Sequence, residues 1–438
     1  MALRRLDLRG FAGDRRALTA LLPRPVDEQD RSSDAVAAII AEVRAGGDAA
    51  VRACTSRFDR VDLDELRVPA DQVRSALGRI PPALQEALDV AHDRILAYHA
   101  HEVGDVPDDF VSGGITVRQL VRPVDRAGCY APGGRARYPS TVLMCAVPAH
   151  VAGVEEIVLC VPPGPDGQVD DATLAAAAVA GVTEVYRVGG AQAVAAMAYG
   201  TESIAAVDVI VGPGNRYVAE AKRQVSGVVG VASGFAGPSE VVVVAGPDTP
   251  PEYAAIDLVV QAEHGPDGLA WLVTWSEEVA DAVDAAVDRI VAGSPRRTDL
   301  EATLGTGGWT VLVDGPKQAA AVSNVVAPEH LELLTENAES ILGTIRSAGA
   351  VFLGTNAPAS IGDYLAGPNH VLPTNRTARF ASALRVDDFR KHIHAVRIDD
   401  EAVRTLGPHV VTLAETEGLP AHADSVRRRL AVLEDPAP

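Results

Sequence analysis

Positive charge is in short supply in this sequence: 39 Lys and Arg face 59 Asp and Glu, a formal net charge of −20 over 438 residues. A chain that acidic repels phosphate backbones, so no nucleic-acid partner is expected. An anionic cofactor is still compatible, because backbone N–H groups at a helix start can bind it locally. Long apolar runs are also missing. None approaches the ~20 residues needed to span a bilayer, so no membrane association is expected. The opening MALRRLDLRGFAGDRR has arginines but no apolar core behind them, unlike a secretory signal, and a cytoplasmic location is expected. Cysteine is sparse: Cys54, Cys129, Cys145 and Cys160 form no CxxC and pair with no nearby histidine. That argues against a disulfide framework or a zinc ribbon and for buried free thiols. No GxGxxG fingerprint, internal repeat or low-complexity segment occurs.

What is present reads as an ordinary globular composition, 47% hydrophobic and 22% charged, long enough for about three domains. After a short arm, residues 30–103 carry helical patterns punctuated by serine caps and prolines at helix starts. His92, His99 and His101 on the last of these helices are expected to be structural or exposed. GITVRQLVRPV alternates as a strand does. From Cys129 to about Gly237, short buried strands (VEEIVLCVPPG, TEVYRVGG, VDVIVGPG, VVGVAS) alternate with Ala-rich helices, the signature of a doubly wound parallel sheet. Two turns, at 189–193 and 212–215, follow a strand and open a helix, where a phosphate could meet free N–H groups; plain tight turns fit equally well. A second α/β unit follows, with SEVVVVAG, LAWLVTWS, WTVLVDG and GAVFLG as strands. Residues beyond about Val386 read as a helical tail, FRKHIHAV included.

The chemistry concentrates between Ser323 and Thr374. Pro328 suits the first position of a helix, which would place Glu329 and His330 in a first turn. The helix field there would favour an ionised Glu beside a neutral His, two candidate bases side by side. A surface Glu-His at a helix start is the plainer reading. In TPPEYAAIDLVVQAEHGPDG, Thr249 and Glu252 have capping-box spacing, and Gln261 and His264, three apart, share a face. A hydrogen-bonded Gln and a capping His would explain them too. Asp363 reads as a loop aspartate and His422 as a tail histidine. His392 and His394, two apart on an expected helix, would not face each other.

PEHLE at 328–332, QAEH at 261–264, GDYLAGPNHVLPT at 362–374 and GPSE at 237–240 together resemble the histidinol dehydrogenase family, over a span from LDLRG at 6–10 to about Leu430. The resemblance implies an NAD-dependent oxidation of L-histidinol to L-histidine through the aldehyde, the last steps of histidine biosynthesis. It implies a divalent metal, usually zinc, one per subunit, on Gln261, His264, Asp363 and His422. Two imidazoles with two oxygens suit zinc, though manganese or cobalt could be held as well. Tyr130, Gln192 and Asn215 match the family's NAD positions. Ser239, His370 and Glu417 match its substrate contacts, together with the four metal positions and His330. His330 then suits the proton transfers and Glu329 the activation of water. A homodimer whose C-terminal tails complete the neighbour's site is also implied.

The expected organisation is an arm (1–25), a metal and substrate domain in two parts (26–126 and 239–385) around an NAD-binding Rossmann-like domain (127–238), and a helical tail (386–438). Two departures from the family pattern stand out: Gly265 replaces an acidic residue after QAEH, and Asn375-Arg376 replace a glycine pair. The nearest rival is a sister enzyme acting on another small alcohol, such as a sulfonated propanediol, against which Glu417 argues. A catalytically silent, metal-stapled dimer would have no need of both Glu329 and His330.

Overall fold

The structure, a computed structural model, describes residues 3–23, 32–104, 106–133, 137–232, 239–263 and 268–434. The chain divides into two compact units: Met1–Glu102 with Val124–Phe389, and Val103–Pro123 with Arg390–Pro438.

The larger unit contains two parallel sheets. In the first, the order is Glu184–Arg187, Glu156–Val161, Arg126–Tyr130, Val209–Val211, Gly230–Val231. The chain starts in the middle, winds outward on one side, then returns to the other, which is the doubly wound arrangement. The second sheet repeats it. Its order is Arg4–Asp7, Gly308–Leu312, Leu269–Thr274, Glu240–Ala245, His330–Leu334, Ala350–Leu353, again all parallel. Strand EVVVVA at its centre is buried at every residue. Both faces of a parallel sheet are covered by helices, so a continuous apolar run suits such a strand better than alternation does.

The helices between Ser33 and Glu102 go to the first sheet, not the second. Ser33–Asp59 packs on Gly190–Tyr199, and Pro82–Glu102 on Pro139–Ala152. Val36, Ile40 and Val43 join the cluster of Val158 and Val194, and Leu88, Ala91 and Ile95 join that of Val142 and Leu159. This corrects the expectation that these helices begin the metal and substrate domain. The early contribution to that sheet is instead the strand Arg4–Asp7 of the expected arm, paired with Gly308–Leu312. Apolar stripes say that a helix is buried; they do not say against which sheet. His99 is fully buried, with Nδ1 2.6 Å from Glu102 Oε2, in a structural role.

In the smaller unit, Arg390–Ile398 pairs antiparallel with Ile115–Pro123 along its whole length, and Phe110–Ser112 lies on the far side of that strand. Helices Asp400–Thr416 and Pro420–Glu434 pack together. From Arg390 this stretch is thus a strand in place of the expected helix, and the alternation of Ile393 and Ala395 with His392 and His394 was its signal. His392 and His394 consequently share a strand face, and His392 Nδ1 lies 2.5 Å from Gln119 Nε2.

Candidate active site

The four cysteines are buried and free. Cys129 is held well above the ordinary thiol range by its hydrogen bond with Cys145 and by burial, and burial pushes Cys160 up to about 12. Neither is a thiolate nucleophile at neutral pH.

Three strand ends of the first sheet meet at its carboxyl edge. Tyr130 ends the middle strand, and its hydroxyl accepts the Gly190 N–H at 3.1 Å. Gly189 caps the helix Gly190–Tyr199 without a side chain, and a Cβ there would come within 2.5 Å of Pro162 Cγ. Gln192 is buried in that helix's first turn. Gly212 has φ +103, and a Cβ on it would meet the Tyr130 carbonyl at 2.1 Å, so only glycine lets the two turns approach. Asn215 caps the next helix, its Oδ1 accepting from Tyr217 and Val218 N–H at 3.0 and 3.1 Å. Asp59 went unnoticed in the sequence. Its Oδ2 is buried without a hydrogen-bond partner among the described residues, and burial pushes the carboxyl up to about 6.

The second cluster lies at the amino ends of the strands of the other sheet. Glu329 and His330 do not open a helix. Helix Pro316–Val326 ends at Ala327 in a left-handed conformation (φ 51), and His330 is the first residue of a parallel strand, opposite Val241 and Ala350. The helix-field argument for a neutral imidazole therefore fails. His330 is 3% exposed and held at both ring nitrogens. Nε2 lies 3.0 Å from Asp363 Oδ1. Nδ1 lies 3.2 Å from the Glu240 carbonyl, 3.3 Å from Gln261 Nε2 and 3.5 Å from Glu329 Oε2. Burial disfavours the imidazolium, but the Glu329 charge and the hydrogen bond to Asp363 outweigh it, and the His330 pKa is raised well above the ordinary value. These two carboxylates favour the imidazolium form of His330.

Each partner arrives on its own element. Gln261 sits near the end of helix Pro251–Ala262, which returns to the amino edge of the sheet; its Oε1 is buried with no hydrogen-bond partner among the described residues. Thr249 does not cap that helix as expected. Its hydroxyl accepts the Gly246 N–H and donates to the Leu334 carbonyl, closing the carboxyl end of the sheet. Asp363 stands on the short helix Ala359–Tyr364, not in a loop, and Gly362 beside it lets Phe352 approach. The Phe352 ring stacks on His330, centroids 5.9 Å apart. His370 Nδ1 is 2.7 Å from the Asp363 carbonyl and its Nε2 3.2 Å from Thr141 Oγ1; burial lowers its pKa. Ser239 directly precedes Glu240, which was overlooked although it completes GPSE. The Glu240 N–H donates to Glu329 Oε2 at 3.0 Å, and burial, with the Glu329 charge, pushes the Glu240 carboxyl up to about 8.

His264 and the Gly265 departure lie outside the described residues. Glu417 and His422 belong to the smaller unit and are exposed. Among the described residues no group of three or more His, Cys, Asp or Glu stands ready for a metal. Asn375 and Arg376 both adopt positive φ (52 and 63), the conformation a glycine pair takes easily. The Asn375 N–H donates to Glu240 Oε1 at 3.0 Å.

The sequence model of the histidinol dehydrogenase family matches residues 22–430. Histidinol dehydrogenase of Parasynechococcus marenigrum is 49% identical over 396 residues, covering 90% of each chain. That of Thermosynechococcus vestitus is 47% identical over 405 residues, 92% of this chain and 94% of its own. The crystal structure of histidinol dehydrogenase from Elizabethkingia anophelis superimposes with a TM-score of 0.92 at 34% identity, covering 99% of both chains. With a likeness that spans both sheets and the tail, and with Glu329, His330, Gln261 and Asp363 gathered at one sheet edge, the chain belongs to the histidinol dehydrogenase family.

Proposed function

We propose that this chain, as a cytoplasmic homodimer, oxidises L-histidinol to L-histidine through L-histidinal, reducing two NAD⁺ per turnover, with Glu329 and His330 as its bases. The observation that carries the reading is the buried His330, held at both nitrogens among Glu329, Gln261 and Asp363. His330, in its neutral form once its own proton has passed to solvent water, takes the substrate hydroxyl proton. Glu329 commits Oε2 to the Glu240 N–H, which leaves Oε1 to polarise the water that attacks the aldehyde. Each such base contributes roughly 10²–10⁴ in rate. Ser239, His370 and the partner subunit's tail, with its Glu417, would line the substrate.

A zinc ion fits the donors present, because Gln261 Oε1 is a buried oxygen with no hydrogen-bond partner among the described residues. Gln261, His264, Asp363 and His422 would hold it, and when bound it would anchor the substrate's imidazole and amino nitrogens. Tyr130, Gln192 and Asn215 would line the cofactor, and NAD⁺ when bound supplies the electron acceptor. The helix start at Gly189, which carries no side-chain cap, supports this, because N–H groups there suit an anionic cofactor. A dimer is supported by the smaller unit, where Phe110, Val111, Ile393, Val396 and Leu413 are each 47–68% exposed on a single chain. Free buried thiols suit a reducing compartment. Counting NADH per histidinol consumed tests the reading: two are expected, with supplied histidinal oxidised as well. One NADH, with free aldehyde accumulating, would reject it.

A further inference from the structure

We infer that Asp257 and Glu332 share one proton as a buried carboxyl pair, and that this pair positions the three groups that surround the reacting centre. The inference rests on the reading of Gln261 and Asp363 as metal ligands and of His330 as a base.

Glu332 is fully buried and lies two residues after His330 on the same strand, so both side chains leave one face. Its Oε1 accepts the Ala359 N–H at 2.8 Å. Ala359 opens the helix whose Asp363, one turn later, reaches His330 Nε2. On its other side Glu332 faces Asp257, itself 8% exposed. Asp257 lies one turn before Gln261 on helix Pro251–Ala262, and Gln261 reaches His330 Nδ1. A single carboxyl pair therefore joins the strand that carries His330, the helix that carries Asp363 and the helix that carries Gln261.

Two carboxylates cannot both stay charged in such a place, because desolvation and mutual repulsion act together. Glu332 Oε2 has no other hydrogen-bond partner among the described residues. A proton on that oxygen, donated to Asp257, satisfies both groups. Burial and the Asp257 charge push the Glu332 carboxyl up to about 9, and burial raises Asp257 as well, in keeping with a retained proton. Neither carboxyl contacts the imidazole of His330 by hydrogen bond, so the pair acts through the elements it ties together and not on the substrate.

The test compares Glu332→Gln with Glu332→Met, reading zinc affinity by chelator competition, kcat and KM for histidinol, and circular dichroism. The amide can donate to Asp257 and accept from the Ala359 N–H, so Glu332→Gln should stay within about threefold of wild type in zinc affinity and kcat. Glu332→Met should fold, bind zinc about 10–100-fold more weakly and lose kcat, as groups that orient metal ligands do. A folded Met variant with wild-type zinc affinity and kcat overturns the positioning role, and so does a Gln variant as impaired as Met. Infrared spectroscopy reads the proton independently, even where the Met variant does not fold. A carboxylic-acid C=O band in wild type at neutral pH, absent from Glu332→Gln, supports the shared proton; identical spectra overturn it. Asp363→Asn separates the underlying reading. Loss of zinc there supports the ligand assignment, and retention overturns it together with the positioning role.

Discussion

Asp363 Oδ1 stands 3.0 Å from Nε2 of His330, on the opposite side of the ring from Glu329 and the Glu240 carbonyl. The imidazole is thus fixed in orientation by partners at both nitrogens, and two of those partners are carboxylates. Two acids beside a buried ring favour its protonated form, whereas a helix start would have favoured the neutral one. The roles proposed for the two bases can be separated by mutation.

His330→Asn should slow the oxidation of histidinol by about 10²-fold or more while leaving oxidation of supplied histidinal less affected. Glu329→Gln should do the reverse. Steady-state rates on both substrates check this, and equal losses on both from both variants would show the division of roles to be wrong.

Glu240 predicts a pH-dependent stability. Its folded carboxyl is raised from 4.5 to about 8 by burial and the Glu329 charge. A raised acid contributes stability that is fully present below the unfolded value and is lost as pH climbs through the folded one. Wild type should therefore lose ground to Glu240→Gln between about pH 4.5 and 8, by an amount on the order of a few kcal/mol at the alkaline end. Denaturant titrations of both proteins at several pH values would show it; a constant difference would contradict it.

Gly362→Ala probes how closely Asp363 and His330 are set. A Cβ there would lie 2.2 Å from Phe352 Cε1 and 2.6 Å from Cζ, and Phe352 stacks on His330. The expected result is a stability loss of about 1–3 kcal/mol, with kcat falling by about tenfold or more as the ring shifts. Adding Phe352→Leu should recover part of both. Thermal melts and kcat measured on the single and double variants decide it.

A site completed by the partner's tail, as proposed, predicts rescue between dead parents. Chains carrying His330→Ala and chains carrying His422→Ala, unfolded together and refolded with zinc, should regain activity, because each mixed dimer then has one site with both defects and one with neither. A mixture that stays dead, with mixed dimers present, would mean that each tail serves its own chain.

Much of this protein could be read from local pattern. The strands VEEIVLCVPPG, TEVYRVGG, SEVVVVAG and GAVFLG and the Ala-rich helices between them occur as expected, because apolar run length and turn residues act over a few positions. The motifs likewise contained Gln261, Asp363, Glu329 and His330. The structure decided what depends on distant partners. Pro328 looks like a helix start, but HLELL becomes a strand because Glu240–Ala245 and Ala350–Leu353 offer it ladders on both sides. FRKHIHAV became a strand because Ile115–Pro123 pairs with it. The helices of residues 33–102 chose the first sheet by side-chain fit, which no stripe of apolar residues encodes alone. Most of all, the raised pKa values of His330, Glu240 and Glu332 arise from burial and from carboxyls far apart in the chain and close in space. Residue type is local information, whereas a pKa is set by everything within a few ångströms, and only the fold determines what that is.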